Sequence, residues 1–382
     1  MKNTGVICEY NPFHNGHAKQ LSQMRTLGGT VCLMSGNYVQ RGEPAILDKH
    51  VRAAAAVACG ADLVLELPVT CALRSAEGFA AGGVKILTKL GCVDALCFGC
   101  ETGDRETLMQ TAKLLLTEQF AQKLRSELAS GVSFPCARQN ALEDLGGDGD
   151  LLENPNDILA VEYCKAILRQ GGTLTPLPIL REGGYFDSLD EENPSAASLR
   201  ALEDWARYVP QEARSLYDGA ARFTIQSGER AWLARLRGME EEDFARLPFG
   251  SEGLWRKLMH ACREQATLEE IVAATKSKRY TRTRIMRMLL CAFLGITKEL
   301  LEQEAHYVRV LALREEGQKI LRAAREKGNL TILNAGETAP DSAYARLERR
   351  ASDLYGLFSA AQTPSAPGAE ERARAVPFKS ET

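Results

Sequence analysis

The chain has 382 residues, long for one domain and comfortable for two at roughly 100–200 residues each. Hydrophobic residues at 45% and charged residues at 25% are the proportions of a soluble globular protein, which excludes a collagen-like or wholly disordered chain. A formal net charge of −3 means that contact with nucleic acid has to come from a local basic patch. The longest tight apolar stretch, Met288 to Ile296, falls short of the roughly 20 residues of a membrane span. Glu9 arrives before a signal-like apolar core develops, so a cytoplasmic protein is expected.

In chain order, Thr4 to Glu9 predicts a buried strand, and a helix follows His17 to about Arg25. Thr30 to Met34 predicts a second strand, followed by a loop from Ser35 to Pro44. Asp48 to Cys59 is Ala-rich and helical, with Asp48 placed as N-cap. Leu63 to Leu67 is strand-like, Ala76 to Leu90 helical, and Ala95 to Phe98 strand-like again. Helices are expected over Arg105 to Leu116, Phe120 to Leu128 and Asn156 to Arg169, with a Gly/Asp-rich break at 146–150 and a strand over Leu174 to Leu180. Strands alternating with helices over short connections imply an α/β fold with a Rossmann-like parallel sheet over 1–200. From about Ala201 to 358 the pattern is mostly helical. Residues 359–382 begin Pro/Ser/Ala-rich and then lose apolar periodicity, so a disordered tail is expected.

Eleven cysteines lie mostly within apolar runs, as small buried hydrophobes do. Cys97-Phe98-Gly99-Cys100 alone has metal or redox spacing, and a zinc site needs a second pair that the chain lacks. The strongest chemical signal is Glu9-Tyr10-Asn11-Pro12-Phe13-His14-Asn15-Gly16-His17, between the first strand and the first helix. Histidines three apart at a helix N-terminus can both face one ligand, and free backbone N–H groups favour a phosphate there. Their imidazoles can donate to phosphate oxygens as charge builds during displacement. A purely structural role and a metal site are the competing readings. The metal site would need further ligands, and His50, His260 and His306 are all remote in sequence.

His14-Asn15-Gly16-His17 fits the H-x-G-H signature of the HIGH-motif nucleotidylyltransferase superfamily. The longer string from Glu9 to His17 resembles the tRNA(Met) cytidine acetate ligase family, as do Met34 to Ala45, Phe98-Gly99-Cys100-Glu101, Asn154 to Leu159 and Lys278 to Arg284. The resemblance implies a ligase that makes acetyl-adenylate from ATP and acetate, with Mg²⁺ as cofactor. It then passes the acetyl group to N4 of the wobble cytidine of elongator tRNA(Met). Carried over residue by residue, the resemblance implies His14 and His17 as catalytic. It implies a nucleotide site of Ile7, Cys8, Glu9, Tyr10, Asn11, Pro12, Phe13, His14, Asn15, Gly16, His17, Ala18, Lys19 and Gln20, with Gly99, Asn156 and Arg181. Two positions depart from the family pattern, Cys100 and Asp157.

Asn193-Pro194-Ser195-Ala196-Ala197-Ser198-Leu199-Arg200 resembles the superfamily's second phosphate motif, with Ser198 and Arg200 toward the nucleotide; an ordinary helix cap at Ser195 is the alternative. Arg181, after an apolar run, stands where open α/β sheets bind ligands, or in a surface salt bridge. Arg41-Gly42-Glu43-Pro44 is expected to border the site. Lys276, Lys278, Arg279, Arg282, Arg284 and Arg287 form a stretch without acidic residues. On a helix, Arg279, Arg282 and Arg287 would share much of one face and suit an RNA backbone, with Tyr280 beside them; a solvated helix face is the alternative. A small-molecule nucleotidylyltransferase of the pantetheine-phosphate or nicotinate-mononucleotide kind would explain the H-x-G-H but leave the basic stretch without a task. A non-catalytic RNA-binding protein is the third class.

Overall fold

Short apolar runs without polar alternation need helices on both faces, and the sheet uses them so. The computed structural model describes residues 2–181, 192, 194–361 and 365–374, and the backbone of 376–377. The strands are β1 (Asn3–Cys8), β2 (Gly29–Ser35), the two-residue β3 (Tyr38–Val39) and β4 (Glu43–Pro44), β5 (Leu63–Leu67), β6 (Ala95–Cys100), β7 (Thr175–Leu180), β8 (Tyr307–Leu313), β9 (Thr331–Leu333) and β10 (Val376–Pro377). The main sheet runs β10-β8-β5-β2-β1-β6-β7, with β9 also on β8. From β5 to β7 every neighbouring pair is parallel. The chain leaves β1 toward β2 on one side and later fills β6 on the other. The strand order therefore reverses beside β1, and the crevice outside the carboxyl ends of β1 and β6 is the natural ligand position.

Alternation along β1 sends Val6 and Ile7 to opposite faces. Val6 packs with Leu21, Met24, Cys32 and Val64 under the helices Asn15–Arg25 and Lys49–Ala58. Ile7 packs with Leu33, Leu65, Phe79, Leu87 and Val161 under Ala76–Lys89 and Pro155–Arg169. The same period separates Cys97 from Cys100. Three residues apart on β6, they enter opposite cores, so their C-x-x-C spacing does not bring the two thiols together.

A second core fills the later helices. Fully buried Trp232 donates from Nε1 to the Leu289 carbonyl at 3.0 Å and packs against Phe293 and Phe358. Leu258, Ile271 and Leu347 complete it from three further helices.

Two expectations about organisation need correction. A boundary at 200 does not divide the sheet from the helices. Gln211–Tyr217 lies on Lys49–Ala58, and the Tyr217 hydroxyl donates to the Phe13 carbonyl at 3.2 Å. β8 then returns to the sheet antiparallel to β5. A mostly helical reading of 201–358 misses β8 because one doubly buried strand carries no alternation to betray it. The tail is not free either where it is described. Glu370 is buried in an ion pair with Lys49 and another with Arg309 at 3.1 Å, Gly368 N–H donates to Asp353 at 2.7 Å, and β10 pairs with β8. Composition shows that this segment has no core of its own. It does not show that one carboxylate can anchor it to another core's buried cations.

Candidate functional site

β1 ends at Cys8 and the chain turns sharply. Tyr10 has φ +45°, uncommon for a bulky side chain, and its surroundings hold it there. Its ring meets Phe13 at 4.9 Å, and its hydroxyl lies 3.5 Å from the Cys32 sulfur. Fully buried Arg52 donates to the carbonyls of Leu47 (2.9 Å), Glu9 (2.6 Å), Ser35 (3.1 Å) and Gly36. One guanidinium thereby ties together the turns after β1 and β2, a role with no local sequence signature.

His14 is the N-cap of Asn15–Arg25. Its backbone N–H donates to His17 Nδ1 at 3.3 Å, and the two rings stack at 3.6 Å and 25°. Because His17 Nδ1 accepts, the neutral ring carries its proton on Nε2. Burial, with Arg181 as a second cause, pushes the His14 imidazole down to about 3. Burial, then His14 and Arg181, pushes His17 well below its ordinary range. Both rings are therefore neutral near pH 7.

The histidines line a cavity of about 320 Å³ over the carboxyl ends of β1, β6 and β7. Of the sequence-derived residues, Ile7, Cys8, Glu9, Tyr10, Asn11, His14, Gly16, His17, Lys19, Gln20, Gly99, Asn156, Arg181 and Arg200 line it, as does Arg41. Pro12, Phe13, Asn15, Ala18 and Ser198 do not. Phe13 is fully buried in the core, and Asn15 Nδ2 donates to the Arg207 carbonyl at 3.2 Å. Ser195 sits at the N-cap of the short helix Ala196–Arg200 but makes no side-chain cap bond. Arg200 instead reaches back, donating to the Asn11 carbonyl at 2.9 Å. Asn193 lies outside the described residues.

Gly99 lets the Arg181 side chain pack close, since a Cβ there would lie 3.1 Å from Arg181 Cγ and 3.2 Å from its Cδ. Asn156 Nδ2 donates to Glu101 at 2.5 Å, and Asp157 N–H donates to the same carboxylate at 3.0 Å. Asp157 in return accepts from the backbone of Glu101 (2.8 Å) and Thr102 (3.1 Å). Its charge thus faces the loop after β6 and stays off the cavity wall. Sequence reasoning missed Gln23, Gln40, Phe79, Phe98, Leu159 and Tyr163, all on that wall. Helical spacing carries part of that signal. Gln23 is three residues beyond Gln20, while Leu159 and Tyr163 are three and seven beyond Asn156.

Three buried polar atoms of cavity residues have no hydrogen-bond partner among the described residues: Asn11 Nδ2, His14 Nδ1 and Gln40 Nε2. Each of these atoms is closed off from solvent, so the trio sits in the wall behind the cavity's lining surface. Among the described residues four cations line the same cavity, Lys19, Arg41, Arg181 and Arg200, against one carboxylate, Glu9. Glu9 accepts from Gln40 N–H at 2.7 Å, and burial raises its carboxyl. Among the described residues no group of three His, Cys, Asp or Glu is arranged to hold a metal ion.

The basic stretch differs from its expected form. Thr281 caps a helix that starts at Arg282, so Arg279 lies before it and shares no helix face with Arg282 and Arg287. Arg282 is paired with Glu269 through two bonds of 2.7 and 2.8 Å. Arg284 donates to the Phe249 carbonyl at 2.8 and 3.0 Å. Arg287 is mostly buried, sits 5.3 Å over the Phe249 ring, and is lowered to about 10 by that burial. Lys276, Lys278 and Arg279 remain exposed in the turn before the helix. Gly42, at φ +82°, packs directly on the backbone of Met286 and Arg287, which brings the β3–β4 hairpin and Arg41 against this helix.

Residues 1–369 match the HIGH Nucleotidyl Transferase family model. The chain is 37% identical to a tRNA(Met) cytidine acetate ligase of Syntrophomonas wolfei, over 93% of this chain and 94% of that one. With the enzyme of the same name from Acetivibrio thermocellus it shares 34% identity over 87% and 88% of the two chains. A crystal structure of Thermotoga maritima TmcAL bound with alpha-thio ATP superposes with a TM-score of 0.88 at 30% identity, covering 99% of this chain and all of that one.

Proposed function

The chain belongs to the HIGH nucleotidyl transferase family and to the tRNA(Met) cytidine acetate ligases, and from that membership we propose how its cavity works. The protein makes acetyl-adenylate and pyrophosphate from ATP and acetate, then transfers the acetyl group to N4 of the wobble cytidine of elongator tRNA(Met). The observation that supports this most is the cavity itself. Two stacked, neutral histidines and, among the described residues, four lining cations converge at the switch point of the sheet.

An acetate oxygen attacks the α-phosphorus, and the bond from that phosphorus to the pyrophosphate oxygen breaks. His14 and His17 donate hydrogen bonds to phosphate oxygens as charge gathers there, which neutral imidazoles can do without first losing a proton. Arg181 and Arg200 hold the phosphates by charge-assisted contacts, and Gly99 and Asn156 border the nucleotide. The cytidine amine then attacks the acetyl carbonyl, AMP leaves, and the amine gives up a proton. Mg²⁺ fits as an ion carried in by the phosphates, because Glu9 is the one carboxylate on the wall among the described residues and such sites use few protein ligands. Once bound it would neutralise phosphate charge.

Lys276, Lys278 and Arg279 contact tRNA in this reading, and the RNA substrate places the protein in the cytoplasm. Among the described residues no helix is long and apolar enough to cross a membrane. Omission assays test the reaction, with ATP, acetate and tRNA supplied singly and together. Pyrophosphate should require ATP and acetate, and N4-acetylcytidine should require all three. Turnover indifferent to acetate would reject the reading.

A further inference from the structure

Next to the basic turn lies a segment that the assignment above does not use. Phe249 and Glu252 both take left-handed backbone, at φ +67° and +60°, although neither is glycine. Arg284 holds the first by donating to its carbonyl, and the Tyr280 hydroxyl holds the second at 2.6 Å. Non-glycine residues persist in this region where their surroundings over-determine them, and they cluster at functional sites. The strained loop leads into the helix Leu254–Glu264, whose first turn carries Trp255, Arg256 and Lys257.

Trp255 is half-buried, whereas Trp205 and Trp232 are buried. The Arg256 guanidinium lies 4.7 Å over the Trp255 ring. Arg256 and Lys257 are exposed, and Lys257 Nζ donates to the Lys276 carbonyl at 3.4 Å, which seats this turn beside the basic one. Lys278 and Arg279 are exposed and have no ion-pair partner among the described residues. Acidic groups nearby include Glu269, already paired with Arg282, exposed Glu252, and Glu43, whose charge also acts on Arg282. Cations without partners beside an aromatic–guanidinium pair are what single-stranded nucleic acid needs: phosphate contacts and a plane on which an unpaired base can stack.

We infer that Trp255, Arg256, Lys257, Lys278 and Arg279 form one surface that holds a single-stranded RNA loop, with an unstacked base on the Trp255–Arg256 pair and flanking phosphates on the lysines and Arg279. This rests on the tRNA reading and deepens it by naming how the loop is gripped. The geometry relative to the cavity agrees. Arg287, on the helix that begins at Arg282, donates to the carbonyl of cavity residue Gln40 at 3.5 Å. The basic turn runs directly into that helix at Arg282, and Arg287 lies about 7–8 Å further along it, so one continuous turn-and-helix path leads from Lys278 and Arg279 to the cavity's lip. A loop held there can offer one base to the cavity, and chemistry on a base requires it to be out of the stack.

The test uses the full chain and a tRNA(Met) transcript. Saturating tRNA should quench the tryptophan fluorescence of the unaltered protein, because Trp255 is the indole that a base can reach. The double substitution Arg256→Gln with Lys257→Gln should raise the tRNA KM about tenfold and flatten the log–log salt dependence of binding by about one unit or more. Trp255→Leu should weaken binding by about fivefold to a hundredfold, and Trp255→Phe should restore most of it. Pyrophosphate release from ATP and acetate should stay unchanged in all of them. Unchanged KM and salt slope in the folded double variant would overturn the surface, as would fluorescence that saturating tRNA leaves unmoved. A wild-type protein that acetylates no tRNA would overturn the underlying reading instead, before any variant is made.

Discussion

His14 and His17 stack at 3.6 Å with both rings neutral, and His14 Nδ1 has no partner among the described residues. Both residues line the cavity, where a neutral imidazole N–H can donate to a phosphate oxygen. Replacing either by alanine should lower acetate-dependent pyrophosphate release by roughly 10²–10³, the usual cost of one preorganised charge stabiliser. Unchanged circular dichroism should accompany the loss, and a near-normal rate in a folded variant would remove the histidines from the chemistry. These residues were legible in the sequence because their spacing and their place after a strand are local. Arg52 and Gln40 were not, since each acts through carbonyls or carboxylates that only the fold brings near.

Among elements, the helix that begins at Arg282 shows how a correct composition can mislead on geometry. Six basic residues in twelve suggested one stripe, yet Thr281 starts the helix late, and Arg282, Arg284 and Arg287 are turned to protein partners. Lys278→Ala with Arg279→Ala should therefore account for most of the stretch's contribution to tRNA binding, and adding Arg282→Ala should change little. Binding measured across salt concentrations separates the two, and a dominant effect of Arg282 would contradict this division. β8 was illegible for a related reason. Tyr307–Leu313 is buried along nearly its whole length and looks, as a string, like any apolar run between helices. Its Arg309 belongs to a cluster with Lys49, Glu66, Glu348 and Glu370, of which Lys49, Arg309 and Glu370 are buried and Glu66 and Glu348 half-buried. Burial, reinforced by Glu66, pushes the Glu348 carboxyl up to about 8 from an ordinary 4.5. The folded state keeps that proton where the unfolded chain has lost it. Its contribution is present in full below about pH 4.5 and is lost as pH rises through 8. Glu348→Gln cannot ionise, so urea unfolding at pH 5, 7 and 9 should show a flatter pH dependence than the wild type. Parallel curves would mean that Glu348 is ionised in the fold.

For the whole molecule, sheet and helices share one chain path that passes back and forth between them, and the described tail closes it. Glu370 answers the charges of Lys49, at the start of the helix that carries Arg52, and of Arg309 on β8. Ending the chain after Ala361 should leave those cations with less compensation and lower the melting temperature by several degrees, on the scale of a buried pair that loses one member. Glu370→Gln in the full chain should reproduce much of the effect, and a truncated protein that melts like the full one would show that the segment adds nothing. Composition could not reveal this, because anchoring by one carboxylate leaves no periodic trace.

The central claim is that acetate is activated by attack on the α-phosphorus in the His14–His17 cavity before the acetyl group reaches RNA. Turnover with ¹⁸O-labelled acetate, ATP and tRNA(Met), followed by mass spectrometry of the AMP, tests it most directly. The attacking carboxylate oxygen stays on phosphorus when the acyl bond breaks, so one ¹⁸O should appear in each AMP released. AMP free of label beside acetylated tRNA would contradict the account.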